Sequence, residues 1–225
     1  PLWTPAPERV AQSNMMRFMT AINEAHGLSL NDYDSLYEWS TSNIAAFWEA
    51  MWRFAGIVHT EPYTSVLENP VMPGATWFPG ARLNFAENLL RYRDERPALV
   101  FAQEGGQAAA QLSYRELYGQ AARLAHFLKA SGVQAGDRVA GFMPNRIETV
   151  VAMLAAASMG AIWSSCSPDF GFKGVMDRFG QIAPKVLFTA DGYTYNGRDL
   201  DSLGRVAQVA QEIEAIERVV VVPMI

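Results

Sequence analysis

Three stretches of this sequence carry side chains suited to holding a phosphorylated, nucleotide-like ligand. They are Met143-Pro144-Asn145-Arg146, Ser164-Ser165-Cys166-Ser167-Pro168-Asp169-Phe170-Gly171 and Ala190-Asp191-Gly192-Tyr193-Thr194-Tyr195-Asn196-Gly197-Arg198. Hydroxyls and backbone N–H groups bind oxygens, aromatic faces stack on a base, and an Arg fork takes a phosphate. The same residue types also make ordinary turns, so composition alone leaves a plain loop as the alternative.

Other chemistries find little support. His26, His59 and His126 are scattered, and His126 sits among Ala and Leu in a helical pattern. One cysteine, Cys166, and no His/Asp cluster argue against a zinc site. Cys166 has no neighbouring His and reads as a small apolar filler. A phosphate loop of the G-x-x-x-x-G-K-S/T type and a G-x-G-x-x-G after a strand are both missing. That disfavours a doubly wound dehydrogenase.

The elements that must position these stretches alternate strand and helix from about residue 96 onward. Strands are expected at residues 98–101, near 112, and at 138–142, 161–163, 185–189 and 219–222. Gly105-Gly106 reads as a turn. A capping box at Ser113 and Glu116 opens a helix that places Leu117, Ala121, Leu124 and Leu128 on one face and ends at Gly132. Further helices are expected at 147–159, which is apolar nearly all round, at 174–182 and at 202–213. Repeated strand–helix–strand units with near-continuous apolar strands predict a parallel sheet covered on both faces. In such sheets ligands sit beyond the carboxyl ends of the strands, where the three stretches fall.

Residues 1–75 have a different texture, rich in Trp, Met and Tyr without strand rhythm. Apolar residues recur at helical spacing over 9–26, stopped by Gly27. They recur again from Ile44 to Ala55, with Ser42 as the expected cap and Gly56 after it. Prolines and glycines over 61–81 predict a connection rather than an element. The expected organisation is therefore a mainly helical extension over residues 1–95 before a parallel-sheet α/β sandwich over 96–225.

The chain has 225 residues, half of them hydrophobic, with 18% charged and a formal net charge of −5. This is ample for a buried core. Mild acidity without a basic cluster disfavours nucleic acid as a partner. No apolar run approaches the ~20 residues of a membrane helix. A lone thiol fits a reducing, cytoplasmic setting. The first residue is Pro1 and the last residues form a core-type strand, so the chain reads as a piece of a longer protein.

Specific strings carry a family resemblance. Trp77-Phe78-Pro79-Gly80-Ala81-Arg82-Leu83-Asn84-Phe85-Ala86-Glu87-Asn88 is similar to the W-F-x-G-x-x-L-N-x-x-x-N signature of the acetyl- and acetoacetyl-CoA synthetase branch of adenylate-forming enzymes. Leu112-Ser113-Tyr114-Arg115-Glu116-Leu117, Gly136-Asp137-Arg138-Val139 and Met143-Pro144-Asn145 follow that superfamily's order. Gly160-Ala161-Ile162-Trp163, the 164–171 stretch after it, and Tyr195-Asn196-Gly197-Arg198 resemble the acetoacetate–CoA ligases in particular.

The resemblance implies an α/β sandwich that forms part of the large N-terminal, AMP-binding domain. It implies a two-step reaction with ATP, Mg²⁺ and CoA: a carboxylate becomes an acyl-adenylate with release of pyrophosphate, then the CoA thiol displaces AMP. The substrates would be acetoacetate, ATP and CoA, and the remaining partner the rest of the same chain, in a cytoplasmic enzyme of lipid and ketone-body metabolism. In the family the phosphate loop, acyl pocket and catalytic Lys lie downstream, so no catalytic or metal-binding residue is assigned and the segment by itself should be inactive. Carried over residue by residue, Arg198, Gly197, Phe170 and Ser167 fall where the acetate enzymes meet the 3′-phosphate ADP portion of CoA. Arg198 would take the 3′-phosphate, and Phe170 would shape the adenine site. Tyr195 stands where those enzymes have a first Arg, and Asp169 adds a negative charge near a phosphate. The alternatives are an acetate or propionate ligase of the same superfamily and a non-catalytic nucleotide-binding module.

Overall fold

The computed structural model describes residues 2–102 and 108–225, so the Gly105-Gly106 turn lies outside the described residues. The chain divides into two compact units, residues 1–83 and 84–225.

The first unit is helical, with α1 (Pro7–Ala11), α2 (Asn14–His26), α3 (Tyr33–Ser42) and α4 (Ile44–Ala55). The single helix expected over 9–26 is two. Ser13 takes an extended conformation and its hydroxyl accepts from the Met16 N–H, so it starts a new helix rather than continuing the old one. Gly27 ends α2 at φ 65°, as its type predicts. Ser42, the expected cap of α4, instead closes α3, and Asn43 links the two helices. Helix α3 itself carries a capping box between Asp32 and Ser35. Phe18, Met19, Ile22 and Leu36 form the buried centre, with Trp39, Phe47 and Met51 packed around it. The Pro/Gly-rich connection contains only the two-residue pair β1 (Leu67–Glu68) and β2 (Thr76–Trp77).

The second unit opens with α5 (Phe85–Leu89) and an antiparallel pair, β3 (Pro97–Ala102) and β4 (Ala108–Ser113). The capping box then starts α6 (Tyr114–Ala130). Ser113 and Glu116 exchange hydrogen bonds, 2.8 Å from the Ser113 N–H to the carboxylate and 3.2 Å from the Glu116 N–H to the hydroxyl. After α6 come β5 (Arg138–Phe142), α7 (Ile147–Ser158), β6 (Ile162–Cys166), α8 (Phe172–Ile182), β7 (Val186–Ala190), β8 (Gly192–Tyr195), β9 (Arg198–Asp201), α9 (Leu203–Glu212) and β10 (Arg218–Val222).

Strands β10, β7, β5 and β6 lie side by side in that order, all parallel. Alternate residues serve opposite faces. Val139, Val186 and Phe188 pack with Leu128 of α6 and Ala152, Ala155 and Ala156 of α7. Ala140, Phe142 and Leu187 pack with Val175 and Phe179 of α8 and Val206 and Val209 of α9. The result is the three-layer sandwich that the apolar strands predict. Each fully buried side chain of the size of Phe142 or Leu187 contributes on the order of 1.5–3 kcal/mol of transfer free energy. Gly141 is required by packing. A Cβ there would sit 2.6 Å from the Trp163 ring on the neighbouring strand.

Two elements differ from expectation. Strand β6 runs on through Ser164, Ser165 and Cys166, which the sequence reading put in a loop. As an edge strand it tolerates polar side chains while its backbone pairs with β5. Residues 192–198, expected as part of the 190–198 loop, belong instead to the β8–β9 hairpin. Asn196 and Gly197 take φ of 51° and 70°, the two-residue turn that Asn-Gly favours because both central residues need positive φ.

Candidate nucleotide site at the carboxyl ends of the strands

The chain leaves β5 toward β6 on one side and later returns past β5 to β7 on the other, so the β5–β7 boundary is the topological switch point of the sheet. A cavity of about 280 Å³ opens there. Its walls include Phe101, Pro144, Asn145 and Arg146 on one side and Tyr193 and Thr194 on the other. The Arg146 guanidinium forks onto Glu148 at 3.0 and 3.1 Å and lies 4.9 Å from the centre of the Phe101 ring. That fork holds the Glu148 carboxyl below its ordinary range, against a smaller opposing effect of burial.

The 167–171 loop follows β6 and turns sharply. The Ser167 hydroxyl donates to Asp169 Oδ2 at 2.9 Å and accepts from the Asp169 N–H at 3.3 Å, while the Phe170 N–H donates to the Ser167 carbonyl at 3.2 Å. The hydroxyl proton of Ser167 is thus directed into the loop. Phe170 is 37% exposed. Its ring lies beneath the Arg178 guanidinium, 4.0 Å from ring centre to Cζ, and against Gly174 of α8. The loop leads into α8 through Gly171.

Asp191 organises the segment after β7. Its Oδ1 accepts from the Gly192 N–H at 2.9 Å and from Met224 N–H at 2.7 Å, tying the hairpin to the exit of β10. The hairpin register sets Tyr193 opposite Leu200, Thr194 opposite Asp199 and Tyr195 opposite Arg198. Thr194 donates to Asp199 across the strands at 2.7 Å. Arg198 and Tyr195 are both exposed, on the same face and beside the Asn196-Gly197 turn.

Of the residues singled out from sequence, Ser167 and Phe170 share one loop and Gly197 and Arg198 share one hairpin turn. All four lie outside the walls of the switch-point cavity. Cys166 is buried at the end of β6, and burial pushes its thiol up to about 11, with Arg178 acting weakly in the opposite direction. This agrees with an inert filler. The ring of His26 packs near Trp39, and that of His59 near Trp52. Sequence reasoning missed Tyr193 and Arg205. Burial, and after it the influence of the Asp169 carboxylate, raises the Tyr193 phenol above its ordinary range. Arg205 Nη1 donates to the Pro168 carbonyl at 2.8 Å. Only the aromatic-rich composition of the 190–198 stretch hinted at the first, and nothing hinted at the second.

Comparisons with known proteins agree in direction. A family model described as AMP-binding enzyme matches residues 85–224, and one described as the acetyl-coenzyme A synthetase N-terminus matches residues 33–89. The chain is 43% identical to the acetoacetyl-CoA synthetase of Rattus norvegicus over 100% of its length, and 46% identical to that of Rhizobium meliloti over 96%. It is 37% identical over 98% of its length to the malonamoyl-CoA synthetase vrtB of Penicillium aethiopicum. A solved structure of acetoacetyl-CoA synthetase from Streptomyces lividans superposes with a TM-score of 0.91 at 42% identity, covering 99% of this chain and 35% of that one. The chain spans about a third of the length of the curated relatives it matches (34% and 33% for the first two).

Proposed function

Because the chain belongs to the AMP-binding enzyme family, we propose that it is the N-terminal third of an acetoacetate–CoA ligase, contributing the CoA-side wall of an active site completed by the rest of the protein. The reaction is acetoacetate, ATP and CoA to acetoacetyl-CoA, AMP and pyrophosphate. The acetoacetate carboxylate oxygen bonds to the α-phosphorus of ATP as pyrophosphate leaves. The CoA sulfur then attacks the acyl carbon, AMP leaves, and the thiol proton passes to solvent. The observation that carries this reading is whole-chain likeness to acetoacetyl-CoA synthetases in both sequence and structure, including both family-model segments in order.

Substrate choice gains support from the third relative. Acetoacetate and malonamate share a carbonyl two carbons from the carboxylate and end in groups of similar size, methyl and amide nitrogen. Ligases for both at 37–46% identity favour a short acid with that carbonyl over plain acetate or propionate.

Within this segment, Arg198 is assigned to the 3′-phosphate of CoA and Phe170 to the adenine face, with Gly197 letting the backbone approach and Ser167 shaping the loop. An exposed guanidinium beside a tight turn suits a phosphate. The family reaction uses Mg²⁺. Among the described residues no group of three or more His, Cys, Asp or Glu could hold a metal ion, so that role is assigned to no residue here. Among the described residues no helix is long and apolar enough to cross a membrane, and a cytoplasmic site of action is part of this proposal.

The test uses the full-length protein. AMP and acyl-CoA formation are measured with ATP, Mg²⁺ and CoA against acetoacetate, malonamate, acetate, propionate and butyrate. Preference for acetoacetate is expected. Preference for acetate or propionate would overturn the substrate assignment, and inactivity with every acid would favour a non-catalytic module. Arg198→Ala should raise the KM for CoA roughly tenfold or more, since a phosphate contact of this kind is worth about 1.5–3 kcal/mol. ATP–pyrophosphate exchange, which needs no CoA, should continue. An unchanged KM for CoA would remove the assignment.

A further inference from the structure

Arg138 and Arg205 both reach far along the chain to bond backbone carbonyls, and the two bonds serve different ends of the sheet. Arg138 Nε donates to the Ile182 carbonyl at 2.6 Å and its Nη2 to the Ala183 carbonyl at 3.2 Å. Those carbonyls close α8, where a helix leaves its last acceptors without partners inside the helix. Arg138 is the first residue of β5, so this tie lies at the amino end of the sheet and helix termination accounts for it. Arg205 Nη1 donates at 2.8 Å to the carbonyl of Pro168, across 37 residues. Pro168 belongs to no helix. It lies in the loop after β6, at the carboxyl end of the sheet, where ligands of such folds sit.

The base of Arg205 is firmly set. Arg205 is the third residue of α9, whose Val206 and Val209 are buried against the sheet. The Asp201 carboxylate accepts from the Leu203 and Gly204 N–H groups, each at 3.3 Å, and the Ser202 N–H donates to the Asp191 carbonyl at 2.9 Å. The first turn of α9 is thus fastened to the ends of β9 and β7. Arg205 is half-buried, and its guanidinium carbon lies 5.9 Å from the centre of the Phe142 ring at the end of β5. An Arg whose stem is already packed loses less rotamer freedom when its head makes a bond.

The loop it holds is a tight turn. The bonds from Ser167 Oγ to Asp169, from the Asp169 N–H to Ser167 Oγ and from the Phe170 N–H to the Ser167 carbonyl all bracket Pro168. Gripping the Pro168 carbonyl therefore grips the whole turn, and Phe170 stands two residues on.

We propose that Arg205 is a positioning residue for the adenine end of CoA. It pins the 167–171 loop to the first turn of α9 and so holds Phe170 where the adenine stacks. This rests on the CoA reading above. Arg205 acts through the loop and touches no phosphate, so its effect falls equally on any ligand that carries the adenine.

The experiment uses the full-length protein and two thiol substrates, CoA and 3′-dephospho-CoA, which keeps the adenine and lacks the 3′-phosphate. Arg205→Met retains an apolar stem over Phe142 and removes the donor, and Arg205→Lys restores one. Arg138→Met breaks the comparable tie at the other end of the sheet. Hydrogen exchange of the Asp169 and Phe170 amides reports the loop without ligand. Arg205→Met should speed that exchange and raise the KM for both thiols by the same factor, about three- to tenfold, the range for losing one hydrogen bond from a charged donor. ATP–pyrophosphate exchange should be unchanged. Arg205→Lys should stay close to the parent, and Arg138→Met should lower the Tm with both KM values unchanged. Unchanged loop exchange in Arg205→Met, or faster exchange with unchanged KM values, would overturn the proposal. So would a rise for CoA alone, which would make Arg205 a phosphate contact. A loss in Arg205→Lys as large as in Arg205→Met, or equal KM rises in Arg138→Met, would overturn it as well. Phe170→Ala separates this failure from that of the underlying reading. If Phe170→Ala also leaves both KM values unchanged, the adenine assignment itself falls, and if it raises them, only the role of Arg205 does.

Discussion

The Arg178 guanidinium covers one side of the Phe170 ring, 4.0 Å from its centre. The same guanidinium donates to the Gly174 carbonyl at 2.8 Å, so ring, glycine and cation form one packed unit at the start of α8. A Cβ on Gly174 would lie 3.2 Å from Phe170 Cδ1, closer than the ring accepts without moving. Gly174→Ala should shift the ring by a few tenths of an ångström and raise the KM for CoA about twofold. Gly174→Val should raise it on the order of tenfold, as sub-ångström to ångström misplacement of a contact residue does. Steady-state kinetics with varied CoA check this. Equal KM for CoA in both variants and the parent would separate Phe170 from CoA binding.

Cys166 provides a chemical prediction. With its thiol near 11, only about one molecule in a thousand carries the thiolate at pH 8. Burial slows access further. Iodoacetamide at pH 8 should leave the native protein unlabelled at this position for hours and label it within minutes in guanidinium. Mass spectrometry of the peptide containing Cys166 reads the outcome, and rapid native labelling would mark it as an exposed, activated thiol.

The capping box makes stability depend on acid. Hydrogen bonds from the Ser113 backbone and then its hydroxyl hold the Glu116 carboxyl below its ordinary 4.5. A carboxyl lowered in the folded state stabilises above its unfolded pKa and loses that contribution as pH falls through the folded one. The Tm difference between the parent and Glu116→Gln should therefore be present at pH 7 and shrink below about pH 4.5. Ser113→Ala should cost about 0.5–2 kcal/mol at neutral pH, the range for losing an N-cap. Thermal melts across pH 3–7 check both, and a pH-independent difference for Glu116→Gln would contradict the carboxylate's role.

Much of this fold was legible because its signals are local. The bounds of β5 followed from an apolar run closed by Pro144, and the start of α6 from a spacing of three between Ser113 and Glu116. The β8–β9 hairpin was missed although Asn196-Gly197 stood in plain view. The stretch was read for its ligand-binding side chains, and its turn chemistry was passed over. The extension of β6 was missed because Ser164 and Ser165 look like loop residues unless the edge position of their strand is known. The contact of Pro168 with Arg205 was beyond sequence reasoning altogether. It joins residues far apart in the chain, and only the tertiary fold brings them together.

That strand order also bears on synthesis. β5 ends at Phe142, pairs early with β6 through the short α7 crossover, and receives its second partner only when β7 is finished at Ala190. At translation rates of about 5–20 residues per second, this separation corresponds to roughly 2–10 s. Throughout that interval the nascent chain carries a strand of Val139, Ala140, Gly141 and Phe142 with one open, apolar edge. Its partner on that side is not yet made, so this edge stays open to pairing with other strands until β7 is complete.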